Sequence, residues 1–348
     1  MDGVTDAPAR FVAKKYGQAD IIYTEFVSAE GLWRIHKRGD AEEKIWKDLK
    51  YGEIERPVIA QIFGSDPEAF YESAKIIYQL GFDGIDINMG CPSPGLEKRG
   101  GGAGLIRDKC NAKEVIEATR KGSGGLPVSV KTRIGSAEPD ESWWRFLAEQ
   151  NLPVVAMHGR TFKQLYKGEA DWDLLLKAGE IIREGGTKFL GNGDISQIYC
   201  QFGPVQFFGS AASTSQGSEG IPAPKLDSSS TDSLIFAVGL KSGKKIDLFG
   251  KMDGVLIGRE ALGNPWILRK DGYVPTLKEK LQVMVEHAYK YQELMGNDYG
   301  KEDYQFFPMR KHLVSYVKGF EGSAGLRKQL VTATSAEEVD DIVSAFIL

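Results

Sequence analysis

A thiol stands at Cys91 inside Asn88-Met89-Gly90-Cys91-Pro92, where the proline bars a helix and a glycine-rich stretch, Gly100-Gly101-Gly102-Ala103-Gly104, follows closely. A lone cysteine is more often a small buried hydrophobe than a reagent. Its place just beyond an apolar run, residues 84–89, reverses that order and makes it a nucleophile or a general acid. No His–Asp pairing beside it suggests a hydrolase, so proton donation is the economical role. Other apolar runs also end in polar residues: Gln61, Lys131, His158, Asn192 and Arg259. A lysine in such a place neutralises an anion or an electron-rich ring in a dry site, or is simply a solvated strand-end charge. Gly258-Arg259 ahead of Gly263-Asn264-Pro265-Trp266 has the form of a late phosphate loop, built from backbone N–H groups and a cation. Residues 239–244 look faintly like a nucleotide phosphate loop, but they are one residue short, lack the Ser/Thr, and read as a turn. The four histidines include no HExxH and the three cysteines no CxxC, so neither a metal nor a disulfide is expected.

Short β-branched runs recur at residues 20–27, 57–63, 84–89, 127–134, 153–158, 188–193 and 254–258, and most lead into helical patterns. Asp66-Pro67-Glu68 has the form of a helix start, with a side-chain cap and proline in the first turn, and Gly81 closes that helix. Strand alternating with helix implies a parallel sheet. Polar ends on so many strands favour an α/β fold of the (β/α)8 TIM-barrel type, with a doubly wound open sheet as the rival. Seven strands are visible, and Met1-Asp2-Gly3-Val4-Thr5-Asp6 reads as a loop following a strand, so the first barrel strand is expected to be absent from this chain. The connection over residues 194–252 is longer than usual. It carries eight serines between Gly209 and Ser233, with a hairpin expected around Ser242-Gly243. Beyond Pro275 the periodicity is helical, with capping boxes at Thr276/Glu279 and Ser335/Glu338. The expected organisation is a barrel domain over residues 1–272 and an all-helical domain over 273–348.

The 348 residues carry 44 Lys+Arg against 48 Asp+Glu, a net charge of −4, which argues against a partner bound through a uniformly basic surface. The charges are unevenly spread. Residues 308–328 hold Arg310, Lys311, Lys318, Arg327 and Lys328 against the single acid Glu321. No run approaches the ~18 apolar residues of a membrane helix, and no secretory leader is evident, so a cytoplasmic location is expected.

Taken together, Met1-Asp2-Gly3-Val4-Thr5-Asp6, Ala60-Gln61-Ile62-Phe63-Gly64, residues 88–92 with Gly102-Ala103, residues 130–135, His158-Gly159-Arg160-Thr161 with Tyr166-Lys167-Gly168, residues 191–194, and Gly258-Arg259 with residues 263–266 resemble the tRNA-dihydrouridine synthases in order and spacing. Met309-Arg310-Lys311-His312, Lys318-Gly319 and Leu326-Arg327 are similar to that family's helical RNA-binding domain. The resemblance implies an FMN-dependent enzyme that uses NADPH to reduce the 5,6 double bond of selected uridines in tRNA, with Cys91 giving the proton to C5. It implies that Met1, Gln61, Lys131 and His158 surround the flavin ring, and that Asn192, Gly193, Asp194, Gly258 and Arg259 hold the ribityl chain and phosphate. Lys98, Arg99, Arg133, Arg160, Arg310, Lys311, Lys318 and Arg327 are expected to meet tRNA, and the enzyme is expected to be a monomer without a metal. Two other readings stay open. One is an FMN barrel like dihydroorotate dehydrogenase, acting on a small pyrimidine; the other is a tRNA-binding homologue that has lost its flavin.

Overall fold

The structure, a computed structural model, describes residues 1, 3–39, 44–200, 236–296 and 305–347. Seven parallel strands form one sheet: β1 (Ile22–Ser28), β2 (Val58–Phe63), β3 (Gly84–Met89), β4 (Val128–Arg133), β5 (Val154–His158), β6 (Lys188–Asn192) and, after an insertion, β10 (Gly254–Leu256). Their spatial order follows the chain, each strand pairing in parallel with the next, and β10 lies beside β6 with Leu256 opposite Asn192. Every residue of β3 and β5 is buried, as expected of strands covered on both faces. All seven predicted runs become strands, and the unbroken order is that of a TIM barrel rather than a doubly wound sheet. Among the described residues β1 and β10 each pair on one side only, so the sheet curls without closing.

Helices cover the outside: α1 (Ala7–Lys15), α2 (Ala29–Arg38), α3 (Lys44–Asp48), α4 (Pro67–Gln79), α5 (Pro94–Lys98), α6 (Lys109–Gly122), α7 (Glu141–Ala148) and α8 (Trp172–Glu184). Their starts follow local chemistry. Asp66 Oδ1 accepts the Glu68 N–H at 3.0 Å, and the side chains of Asp6, Ser28, Asp108, Asp140 and Asp171 cap five further helices in the same way. Phe70, Ile77, Trp143, Trp144 and Phe189 pack between sheet and helices with almost no exposure.

The insertion holds β7 (Ile195–Cys200), β8 (Phe236–Leu240) and β9 (Lys245–Asp247) in an antiparallel sheet. The predicted hairpin turn is present between β8 and β9, and residues 239–244 form strand end and turn as expected. The third strand, β7, was not anticipated. The serine-rich stretch lies outside the described residues.

The C-terminal region is helical: α9 (Leu277–Gly296), α10 (Arg310–Tyr316), α11 (Ser323–Leu330) and α12 (Ala336–Ile347). Thr276 and Glu279 form the expected reciprocal cap, N–H to side-chain oxygen at 3.1 and 3.2 Å. These helices build a second core around Leu281, Met284, Leu313 and Leu326, into which Val12 of α1 and Trp266 also pack.

Candidate active site

One cavity of about 1370 Å³ opens at the C-terminal ends of the strands and continues down the seam between β1 and β10, past Ile22 and Thr24 on one side and Gly254 and Leu256 on the other. Cys91, Met1, Gln61, Lys131, His158, Asn192, Gly193, Asp194, Gly258 and Arg259 all line it. Ten residues drawn from seven stretches of sequence thus line one cavity.

Cys91 follows β3 on a loop shaped from both sides. Asn88 turns its Oδ1 to the Gly90 N–H at 3.0 Å, and the Cys91 carbonyl accepts the Ala103 N–H at 3.3 Å. Gly102 has φ +56°, and a Cβ on it would stand 3.1 Å from the Cys91 Cβ, so only glycine lets the loop close this tightly over the thiol-bearing residue.

Beneath the cavity a buried chain of polar groups fixes two amides. Asp86 accepts Ser129 Oγ at 2.5 Å and Gln61 Nε2 at 2.7 Å; the Gln61 Oε1 in turn accepts Asn88 Nδ2 at 2.9 Å. A carboxylate has only acceptors, so it dictates that Gln61 turns its NH2 inward and its carbonyl to Asn88. Burial pushes the Asp86 carboxyl up to about 6, against the opposing pull of Ser129, Gln61 and Lys131. Neither Asp86 nor Asn88 was assigned a role from the sequence. An acid in the middle of the apolar run Gly84-Ile85-Asp86-Ile87 was the available signal.

Four cations surround His158. Burial first, then Lys131, Arg133, Arg160 and Arg259, hold its imidazole down to about 2, so the ring is neutral under ordinary conditions. Lys131 is itself pulled down to about 8, by burial and by Arg133, with Asp86 and Cys91 acting in the opposite sense. Around His158 the cations outnumber Asp194, the acid paired with Arg160, and such a balance favours an anionic guest.

Arg133 and Arg160, expected among the RNA-facing cations, are instead buried at 3% exposure each. Arg133 donates through Nε to the Gly90 carbonyl at 2.9 Å and through Nη1 to the carbonyls of Thr161 and Leu165, both at 3.0 Å. Arg160 Nη2 donates to the Gly168 carbonyl and to Asp194 Oδ2, both at 2.6 Å. Both guanidiniums are consumed in bracing loops. The Asp194 Oδ2 also accepts the Ala170 N–H at 2.7 Å. Burial would raise its pKa, but the Ala170 N–H and Arg160 outweigh that and keep it ionised. Its Oδ1 lies 3.8 Å from the Arg259 guanidinium, which makes Asp194 an anchor for cations.

Arg259 is the half-exposed cation of the ring, and it rests 5.0 Å above the centre of the Tyr166 ring. Gly193 faces His158 and Ala170 at φ +125°, where a Cβ would come within 2.6 Å of the Ala170 Cβ. Asn192 is turned by its Nδ2 donating to the Leu256 carbonyl at 2.6 Å.

Lys98 and Arg99 are exposed on and just after α5, and Arg99 borders the cavity. Lys318 and Arg327 are exposed on the helical region, whereas Arg310 donates to the carbonyls of Ala333 and Thr332 at 3.0 and 3.2 Å. Lys311 is half-buried with its Nζ close to Gly3. Lys280, unassigned from the sequence, lies near enough to Lys318 for that charge, after burial, to lower its pKa.

A TIM-barrel sheet with a thiol, oriented amides and a ring of cations at the strand ends places this protein among the barrel enzymes. Residues 1–201 and 246–347 match the family model described as dihydrouridine synthase (Dus), and the chain belongs to that family of flavin-dependent oxidoreductases acting on tRNA. A probable tRNA-dihydrouridine synthase of Staphylococcus aureus (strain MRSA252) is 32% identical over 352 residues, spanning 99% of this chain and 91% of the relative. Probable tRNA-dihydrouridine synthase 2 of Bacillus subtilis (strain 168) is 29% identical over 351 residues, spanning 99% and 92%. The stretch between the two matched segments covers most of the insertion with its strand β8.

Proposed function

We propose that this chain is a tRNA-dihydrouridine synthase that holds FMN in the large cavity, draws reducing equivalents from NADPH, and uses Cys91 to protonate the uracil. The observation that carries this reading is the convergence of the Cys91 thiol, the Gln61–Asn88 amide pair and the cation ring on one cavity. At about 1370 Å³ that cavity exceeds the 300–1,000 Å³ of common ligand sites and has room for a flavin and a nucleobase together.

The residues present fit the cofactor. Gln61 and Asn88, held in one orientation by Asp86, offer paired amides to a polar ring edge. Lys131 supplies a cation for a ring that becomes anionic on reduction, and the neutral His158 donates or accepts beside it. Arg259, with the backbone about Gly193 and Gly258, suits the phosphate. When bound, the flavin supplies the two-electron chemistry, from NADPH to C6 of the uracil.

The protein's own part is positioning and proton transfer. Cys91 Sγ–H gives its proton to C5 as C6 is reduced, leaving a thiolate in a cationic site. Arg133 holds the Gly90 carbonyl, and so the loop that presents the thiol. A uridine reaches the cavity only after leaving its stack, which costs a few kcal/mol and is easiest in the loops of tRNA. Exposed Lys98, Arg99, Lys318 and Arg327 suit the flanking phosphates.

The purified protein, yellow if it carries flavin, is incubated with NADPH and tRNA lacking dihydrouridine, and reduced uridines are mapped. Product is expected from the native chain, with a loss of about 10²–10⁴-fold in Cys91→Ala while reduction of bound flavin by NADPH persists. Turnover of a small dihydropyrimidine with none on tRNA would instead establish the dihydroorotate dehydrogenase-like reading.

A further inference from the structure

Three side chains far apart in sequence meet where α1 abuts the C-terminal helices: Asp6 at the start of α1, His287 on α9 and His312 on α10. All three are buried, and one ligand atom from each lies within 4.8 Å of the others. The His312 Nε2 to Asp6 Oδ2 distance is 3.5 Å, and the two imidazole rings stand 4.8 Å apart.

Two other polar atoms of the cluster are engaged outside it. Asp6 Oδ1 accepts the Ala9 N–H at 3.0 Å, which leaves Oδ2 for the centre of the cluster. His287 Nδ1 lies 3.2 Å from the Tyr316 hydroxyl, which orients the ring and leaves Nε2 as its other nitrogen. The Nε2 atoms of both His287 and His312 are buried without a hydrogen-bond partner. These residues are 2% and 1% exposed, and unpartnered buried polar atoms of this kind are costly and uncommon.

We propose that Asp6, His287 and His312 bind a zinc-class divalent cation, Asp6 through Oδ2 and both histidines through Nε2. Two imidazoles and one carboxylate suit Zn²⁺ or Co²⁺ rather than Mg²⁺ or Ca²⁺, which prefer all-oxygen sets. A tetrahedral ion with bonds of about 2.0–2.1 Å sets its ligand atoms about 3.3 Å apart, close to the separation the Asp6–His312 pair already has. The Tyr316 hydroxyl is the outer partner that a metal-bound imidazole commonly has. His287, His312 and Tyr316 also border the large cavity, so the cluster lies beside its wall. The ion ties the start of α1, which follows the Met1–Thr5 wall of the cavity, to the C-terminal helices.

The full chain is treated with a chelator and titrated with Zn²⁺ and separately with Co²⁺, following metal content and visible d–d absorption. One Co²⁺ per chain with a tetrahedral spectrum is expected, retained in Cys91→Ala and weakened at least tenfold in His287→Gln and in His312→Gln. X-ray absorption of the Zn²⁺-loaded native protein, which depends on no variant folding, is expected to show two imidazoles with oxygen. A wild-type chain with no saturable binding, a sulfur ligand, or unchanged affinity in both histidine variants overturns the proposal.

Discussion

Arg133 Nε donates to the carbonyl of Gly90 at 2.9 Å, so a buried guanidinium at the end of β4 holds the residue that immediately precedes Cys91. The same side chain reaches the carbonyls of Thr161 and Leu165 beyond β5. One cation therefore joins the thiol loop to the Tyr166 loop.

Replacing it tests that coupling. Arg133→Met leaves three carbonyl acceptors without their donor and is expected to cost about 2–4 kcal/mol of unfolding free energy. The turnover number is expected to fall more than flavin affinity does. Arg133→Lys, which keeps the charge but not the fork, is expected to rescue neither stability nor turnover. Denaturant unfolding with steady-state kinetics reads both, and an unaltered turnover number in Arg133→Met would refute the bracing role.

Lys131 imposes a pH dependence whose sign follows from its pKa. The group is lowered from 10.5 to about 8, so the folded chain without a ligand releases this proton near pH 8 while the unfolded chain keeps it up to about 10.5. Stability of the flavin-free protein therefore gains a contribution as pH rises through that window. Flavin binding runs the other way: an anionic guest prefers charged Lys131, and affinity is expected to weaken as pH rises above about 8. Titrations of FMN binding in Lys131→Met are expected to show no such inflection.

The phosphate role proposed for Arg259 distinguishes FMN from riboflavin. Arg259→Ala is expected to raise the FMN dissociation constant about 10–100-fold, the size of a lost charge-assisted contact, and to leave riboflavin binding within about twofold. Fluorescence titration of both flavins decides it. Equal losses for both would move Arg259 away from the phosphate.

Lys318 and Arg327 are exposed and free to meet phosphate, unlike Arg133 and Arg160. Each removed phosphate contact is expected to reduce the slope of log affinity against log salt by about 0.7–0.9. Lys318→Ala and Arg327→Ala should each show that change in tRNA binding at several salt concentrations, with NADPH-driven flavin reduction unchanged.

Much of the fold was legible because its physics is local. Strands buried on both faces must be continuous apolar runs, so each of the seven could be marked from composition, and Asp66, Thr276 and Ser335 announced helix starts through their own side chains. Strand β7 escaped because its partner β8 lies beyond the serine-rich stretch. The site was legible as a set of residues, since polar groups that end apolar strands have little reason to be there other than the cavity the strands share. Asp86 could have been found the same way, as an acid inside a buried strand.

Roles that depend on which groups meet across the fold were not legible. An arginine has the same letter whether its guanidinium faces a phosphate or three carbonyls, and only the approach of the 161–165 loop commits Arg133 to the latter. Asp194 likewise becomes an anchor because Arg160 and Arg259 converge on it. Asp6, His287 and His312 carry no spacing that would join them, since their separation in sequence says nothing about a contact made by packing α1 against two distant helices. The sequence by itself determined the strands, the caps and the inventory of reactive groups, because those follow from each residue and its near neighbours. Tertiary structure alone decided which charges are spent inside and which face a guest, because burial and pairing are properties of the assembled chain.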